Sequence, residues 1–337
     1  MAAPPPEEGG GRRLARRSIL AGSVAGMASV ALFHPLDVLR IKMQMQAAAA
    51  LPGSASASAS ASASASAPRP AAVFFHTVRN GGITALYTGA APVLAAQACY
   101  KATVFSVNGL AGAALARHRA REGPGGGGGG DPPSLAETWL CGWIGGAVNA
   151  TVFVSPVEYV RNQQIAQHSR LAAAASAAAP ALPLAAAARG PLDIARTTVR
   201  RDGLPGLWRG AGVTILRDSL GCGSFFVSFE LGRRWLGPHL GGSDSGATLL
   251  ASGACAGWGF WAIALPFDTV KTLIQTGRAT SAWDTVAGSL RNGGVAETAH
   301  RLTRGWQLAF GRGGPAAAVT LSTYAAVFDL CGRLFDE

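Results

Sequence analysis

The chain has 337 residues, of which 49% are hydrophobic and 14% charged, against about 25% charged in average globular usage. It carries 29 Lys and Arg against 18 Asp and Glu, a net charge of +11, and its mean hydropathy is +0.24. This balance excludes a disulfide-rich secreted module, a disordered acidic chain and a typical water-soluble enzyme, and leaves a membrane protein or an unusually apolar basic one. Cys99, Cys141, Cys222, Cys255 and Cys331 lie in apolar or small-residue stretches without CxxC spacing, and the six histidines form no HxxxH. They read as packing residues, so no metal site and no cofactor is expected.

Residues 1–16 are Pro- and Gly-rich, then basic, with Glu7, Glu8, Arg12, Arg13 and Arg16, and read as a flexible segment. The apolar run after Arg17 is too long for the core of a secretory signal, and the two glutamates weaken a transit peptide. A first apolar stretch at 19–46 contains Pro35-Leu-Asp37-Val-Leu-Arg40-Ile-Lys42. A Ser/Ala insert at 53–67 needs no fold of its own. Next come Gly81-Gly82-Ile-Thr-Ala-Leu-Tyr87-Thr88-Gly89 and a second apolar stretch at 88–116. A Gly-rich linker at 121–134 leads to a third stretch at 136–167, with Pro156-Val-Glu158-Tyr-Val-Arg161-Asn-Gln163. An Ala-rich insert at 171–188, equally open to helix or coil, precedes Asp202-Gly203-Leu-Pro-Gly-Leu-Trp208-Arg209-Gly210 and a fourth stretch at 209–236. The fifth stretch, 247–276, carries Pro266-Phe-Asp268-Thr-Val-Lys271-Thr-Leu273. After it the second element is degraded to Glu297-Thr298 and Leu302-Thr303-Arg304-Gly305, before a sixth stretch at 304–335.

The pattern Pro-x-acid-x-x-base therefore occurs three times, each time closing an apolar stretch, and divides the chain into repeats at 17–120, 135–240 and 241–337. Each stretch exceeds the roughly 20 residues needed to cross a hydrocarbon core. Glycine pairs at helix-contact spacing, Gly22 with Gly26, Gly142 with Gly146 and Gly253 with Gly257, let helix backbones approach closely. Trp143 takes the place of the leading glycine in repeat two, which predicts a local packing difference there. Proline inside a membrane helix bends it, so Pro35, Pro156 and Pro266 predict three alike bends. Ionisable groups within spans are costly and need partners, and those at i and i+3 share a helix face.

The triplicated motif, the aromatic-and-glycine element and the repeats of about a hundred residues together resemble the mitochondrial carrier family from Arg17 onward. The resemblance implies an all-α membrane protein with six transmembrane helices in three pseudo-symmetric two-helix repeats around a central cavity. It implies a matrix gate of Asp37 with Arg161, Glu158 with Lys271 and Asp268 with Arg40, with Gln163 as a glutamine brace beneath such a pair. A cytoplasmic gate of aromatic-acid-x-x-base is present only in repeat two, as Phe229-Glu230-Leu-Gly-Arg233. Repeats one and three show Asn108-Gly109 with Gly112 and Tyr324-Ala325 with Phe328, so this gate is expected to be loosely held.

Seven residues beyond Gly89, Gly210 and Gly305 stand Ala96, Arg217 and Arg312, with Gln97 and Asp218 following the first two. These offsets resemble the family's substrate contact points. An Arg-acid pair there resembles carriers of amino acids and of carnitine esters. The chemistry agrees: Arg217 or Arg312 can bind a carboxylate bidentately and Asp218 can take a cationic nitrogen. The alternatives are a carrier of another small anion or of a nucleotide or cofactor, and a carrier-like membrane adaptor that no longer transports. No nucleophile and base pattern supports an enzyme, and no nucleic-acid motif accompanies the dispersed basic residues. The expected partners are a small-molecule substrate and, by resemblance, cardiolipin near Arg209-Gly210 and Arg304-Gly305, with a monomer as the working unit. The expected location is the inner mitochondrial membrane, with peroxisomal or plastid membranes as alternatives.

Overall fold

The computed structural model describes residues 8–49, 69–121, 133–177 and 189–335. The Ser/Ala insert at 53–67, the Gly-rich linker at 122–132 and the later part of the Ala-rich insert at 178–188 lie outside the described residues, as do residues 1–7. Helix α1 spans Glu8–Ala49, α2 Pro70–Gly81 and α3 Ala90–Arg121. Helices α4 (Leu135–Asn149) and α5 (Ser155–Ala177) are joined by a π-helical turn at Ala150–Val154. Then follow α6 (Pro191–Asp202), α7 (Ala211–Leu236), α8 (Gly246–Gln275), α9 (Ala282–Leu302) and α10 (Trp306–Phe335). Residues 8–16, expected to be flexible, instead extend α1, the helix formers Arg12 to Arg16 following Gly9, Gly10 and Gly11, whose own propensity opposes the helix. Residues 171–177 of the Ala-rich insert likewise continue α5.

Local chemistry sets the helix starts. Ser134 caps α4 in a reciprocal capping box with Glu137, and Ser245 and Ser281 accept from the amides of Thr248 and Asp284. Pro70 and Pro191 occupy the first turns of α2 and α6, where a missing amide costs nothing.

The long helices form a closed ring in which α1 packs on α3, α3 on α4, α4 on α7, α7 on α8, α8 on α10 and α10 back on α1. Three spans are long and apolar enough to cross a membrane: Leu20–Gln46, Leu135–Ala174 and Gly246–Gln275. Their ring partners α3, α7 and α10 are less apolar but as long. At 26 residues, α7 reaches about 39 Å, more than the roughly 30 Å of a hydrocarbon core. The short helices α2, α6 and α9 link the two long helices of each repeat. The fold is the six-helix pseudo-symmetric carrier arrangement around a central space.

The three prolines do not act alike. Pro35 and Pro266 sit inside continuous helices. In repeat two the helix loosens into the π turn just before Pro156. There the Ser155 amide reaches back to the Ala150 carbonyl, and Ser155 Oγ donates to the same oxygen at 2.7 Å. The Thr151 carbonyl accepts the Trp208 indole N–H at 2.7 Å. The first helix of repeat two also packs more tightly at its leading glycine than that of repeat one. A Cβ on Gly142 would lie 2.8 Å from the Cys222 carbonyl oxygen, whereas one on Gly22 would meet nothing within 4 Å.

The second element of repeat three is not degraded but displaced. Gly82, Gly203 and Gly294 have φ of 70°, 73° and 68°, each with an extended ψ. Gly89, Gly210 and Gly305 follow with φ of 81°, 81° and 82°. The first two pairs are seven residues apart and the third eleven. The four extra residues are one added helical turn, which hid the correspondence in the sequence.

Candidate functional site

The ends of α1, α5 and α8 that carry the repeated motif converge over a small apolar cluster of Val38, Ile41, Met45, Ile165 and Ala166. Above it the motif charges meet between repeats. Arg161 Nη2 lies 3.4 Å from Asp37, Lys271 Nζ 2.5 Å from Glu158 and Arg40 Nη2 3.3 Å from Asp268. Asp37, Arg40, Arg161, Asp268 and Lys271 are all buried. Desolvation of such charges offsets much of their attraction, so a ring of this kind is not a strong clamp.

The left-handed glycines that begin the next helices press on this ring. A Cβ on Gly89 would sit 3.2 Å from the Arg161 carbonyl oxygen, one on Gly305 3.0 Å from Arg40 Cγ and one on Gly210 3.3 Å from Gln275 Cγ. Both the positive φ and the close approach require glycine at these positions.

Arg40 Nε and Nη1 have no hydrogen-bond partner among the described residues. Its guanidinium instead lies over the Trp261 ring, 4.1 Å from the centroid, a contact favourable to a desolvated cation. Gln163 does not brace Glu158 and Lys271: its amide donates to the Gln275 backbone carbonyl at 2.7 Å, tying α5 to α8. The amide that touches a motif acid is that of Gln44, which donates to Asp268 Oδ2 at 3.0 Å and accepts from Thr272 at 3.0 Å. Gln44 and Trp261 each stand seven residues from a motif acid, Asp37 and Asp268 respectively. Both contacts cross between repeats, Gln44 to Asp268 and Trp261 to Arg40, so spacing within one repeat does not reveal them.

The expected contact residues lie next to this ring. Arg217 donates through Nε to Asp218 at 2.7 Å, through Nη1 to Asp268 at 2.7 Å and through Nη2 to Glu158 at 2.9 Å. Its side chain is 5% exposed. Arg312 donates to Asp37 and keeps 23% of its side chain exposed. Gln97 is buried beside Gly26, where an added Cβ would lie 3.0 Å from its Oε1. Ala96 is half-buried and offers no polar atom. Tyr100, one turn further along α3, has a buried hydroxyl with no hydrogen-bond partner among the described residues.

At the opposite end Glu230 pairs within its own helix, and Arg233 reaches the turn that opens repeat three. Glu230 pairs with Arg234 at 2.7 Å and with Arg233 at 3.9 Å on its own helix. Arg233 also reaches Asp244 in the following turn at 2.6 Å. Tyr324 stacks on Phe328 within α10, with ring centroids 5.8 Å apart. The end bearing the motifs is closed by ion pairs between the long helices of all three repeats; at the other end the pairs of Glu230 and Arg233 join α7 to itself and to the turn that follows it.

Known proteins are similar to this chain in sequence. The family model described as mitochondrial carrier protein matches residues 13–118, 131–240 and 243–333. The chain is 29% identical to the mitochondrial arginine transporter BAC2 of Arabidopsis thaliana, over 88% of the chain and 85% of that protein. It is 28% identical to the mitochondrial carnitine/acylcarnitine carrier-like protein of the same plant, over 91% and 96%. It is 26% identical to solute carrier family 25 member 48 of Homo sapiens, over 76% of each. With three matched repeats spread over almost its whole length, the chain belongs to the mitochondrial carrier protein family, whose members are transporters and not enzymes.

Proposed function

We propose that this transporter moves an amino acid or a carnitine-like zwitterion across the inner mitochondrial membrane by alternating access. The observation that carries the reading is the pairing of opposite charges beside the closed ring. The carboxylate of Asp218 adjoins Arg217, and Arg312 is the accessible arginine of the set. A zwitterion offers a carboxylate to a guanidinium fork and a cationic nitrogen to an acid. A solute with only negative charge meets Asp218 unfavourably. The relatives named for arginine and for carnitine and acylcarnitine support the same class.

In this reading Asp37, Arg40, Glu158, Arg161, Asp268 and Lys271 form the matrix gate, with Gln44 and Gln163 fastening its surroundings. Substrate-binding groups are Arg217, Asp218 and Arg312, with Ala96 and Gln97 completing the third contact. A solute carboxylate reaching Arg312 competes with Asp37 for it and so loosens one corner of the ring. Glu230 and Arg233 contribute little closure at the cytoplasmic end.

Uptake into proteoliposomes tests this with a panel of amino acids, carnitine esters, carboxylates and nucleotides. Saturable exchange of at least one zwitterion is expected. Exchange confined to nucleotides or dicarboxylates rejects the substrate class, and no exchange across the whole panel favours a membrane adaptor.

A further inference from the structure

Beyond the ring of motif charges the closed end departs from threefold symmetry. Met45, Ala166 and Thr276 each stand ten residues after their motif proline. Two of these three backbone carbonyls receive an arginine from another repeat. Arg278 of repeat three donates through Nη1 to the Met45 carbonyl of repeat one. Arg170 of repeat two donates through Nη2 to the Thr276 carbonyl of repeat three at 3.1 Å. Thr276 caps the C-terminus of α8, and Met45 lies near the C-terminal end of α1, where the helix dipole favours a cation. The third place lacks such a donor. Arg170 and Arg278 follow their prolines by fourteen and twelve residues, and the matching residues of repeat one, Ala47 to Ala49, are all alanine. No lysine or arginine stands between Lys42 and Arg69.

The neighbouring layers repeat this asymmetry. Nine residues after the prolines stand Gln44, Ile165 and Gln275. Gln44 donates to Asp268 at 3.0 Å and to Thr269 at 3.3 Å, tying repeat one to repeat three. Gln275 accepts from Asn162 on its side chain and from Gln163 on its backbone, each at 2.7 Å, tying repeat two to repeat three. Ile165 offers no polar atom and packs with Val38, Ile41 and Met45 of α1. On the other side of the ring, Arg217 of repeat two reaches Asp268 of repeat three, and Arg312 of repeat three reaches Asp37 of repeat one. Ala96, at the same offset in repeat one, has no side-chain donor. The seam between repeats one and two therefore keeps an apolar contact and the pair of Arg161 with Asp37 at 3.4 Å. Arg161 Nη2 has no hydrogen-bond partner among the described residues. Parting an apolar contact strands no polar group, whereas parting the other two seams strips acceptors from charged donors.

We infer that Arg170 and Arg278 are positioning residues that latch repeat three to repeats two and one, and that the motif-bearing end opens first at the unlatched seam between repeats one and two. Repeat three is then the fixed post of the closure, held to each neighbour by an arginine on a backbone carbonyl as well as by the ring. This rests on the gate reading above, in which that end opens during transport.

The test uses the full chain in lipid nanodiscs, with all five cysteines changed to serine. Nitroxide labels are placed two at a time on Gln46→Cys, Gln167→Cys and Thr280→Cys, one in each repeat just beyond the carbonyls in question. Pulsed electron resonance reads the distance distribution of each pair. Without solute, Arg278→Met is expected to raise the long-distance component between positions 46 and 280 about tenfold, and Arg170→Met that between 167 and 280 by a similar factor. Neither should change the pair at 46 and 167. Arg278→Lys, which keeps a charged donor, is expected to restore part of the short distance. With L-carnitine or L-arginine, whichever the chain carries, the pair at 46 and 167 is expected to lengthen more than the other two. Distributions unchanged in both methionine variants overturn the latches. Equal lengthening of all three pairs on adding solute overturns the opening seam. Latch-dependent distances with no response to any solute support the latches and reject the transport reading alone.

Discussion

Arg217 on α7 donates to Asp268 on α8 across 2.7 Å, joining an expected substrate contact directly to a repeated motif acid of the third repeat. The same guanidinium holds Glu158 at 2.9 Å and Asp218 at 2.7 Å. A single planar fork thus serves three carboxylates in different directions, which a lysine point charge cannot reproduce. Arg217→Ala leaves buried carboxylates short of a cation and is expected to cost about 3–5 kcal/mol of stability. Thermal unfolding in detergent should rank wild type above Arg217→Lys, and Arg217→Lys above Arg217→Ala. Equal midpoints for all three would contradict the central place given to this arginine.

Trp261 supports Arg40 from the face that hydrogen bonds leave empty. Replacing it with leucine is expected to remove about 0.5–2 kcal/mol from the closed state, with Trp261→Phe retaining part of that. Unfolding midpoints of the two variants, measured with Arg40 intact and again with Arg40→Leu, check this. The difference between Trp261 variants should vanish when the cation is gone.

The architecture is largely legible in the sequence, because triplicated prolines and charges state the symmetry and the apolar stretches state the spans. The three motif ion pairs join the residues that the resemblance pairs. What the sequence conceals has physical reasons. Gly294 opens the third turn one helical turn earlier than expected, since the element is read at its conserved-looking end near Gly305 and the extra four residues break the register. Gln163 satisfies a backbone carbonyl of α8 rather than an ion pair, because its reach is set by tertiary packing and not by its place in the motif.

Two glycines that look alike in sequence should behave differently. A Cβ on Gly146 would lie 2.8 Å from the Asp218 carbonyl carbon, while one on Gly22 meets nothing within 4 Å. Gly146→Ala is expected to push α7 outward, lower the unfolding midpoint and raise KM by displacing Asp218. Gly22→Ala is expected to leave both intact or to gain up to about 1 kcal/mol from the better helix propensity of alanine. Matching losses in the two variants would show that the contact at Gly146 is not what matters.

Charge removal at the cytoplasmic end should be nearly silent. Glu230 and Arg233 pair only within α7 and with the exposed Asp244 that follows it. Exposed pairs of this kind contribute about 0–1 kcal/mol. The double variant Glu230→Gln, Arg233→Gln is expected to keep uptake within about a factor of five of wild type, the kinetic equivalent of that energy. A loss of transport by two orders of magnitude would mean that these residues close the cytoplasmic end after all.

The most direct measurement compares uptake of radiolabelled L-carnitine and L-arginine into proteoliposomes holding wild type, Asp218→Asn or Arg312→Ala. Saturable uptake of at least one of the two by wild type, lost in both variants, is the predicted result. Uptake that survives both substitutions unchanged, or its absence from wild type for every zwitterion offered, would contradict transport of a zwitterion through this site.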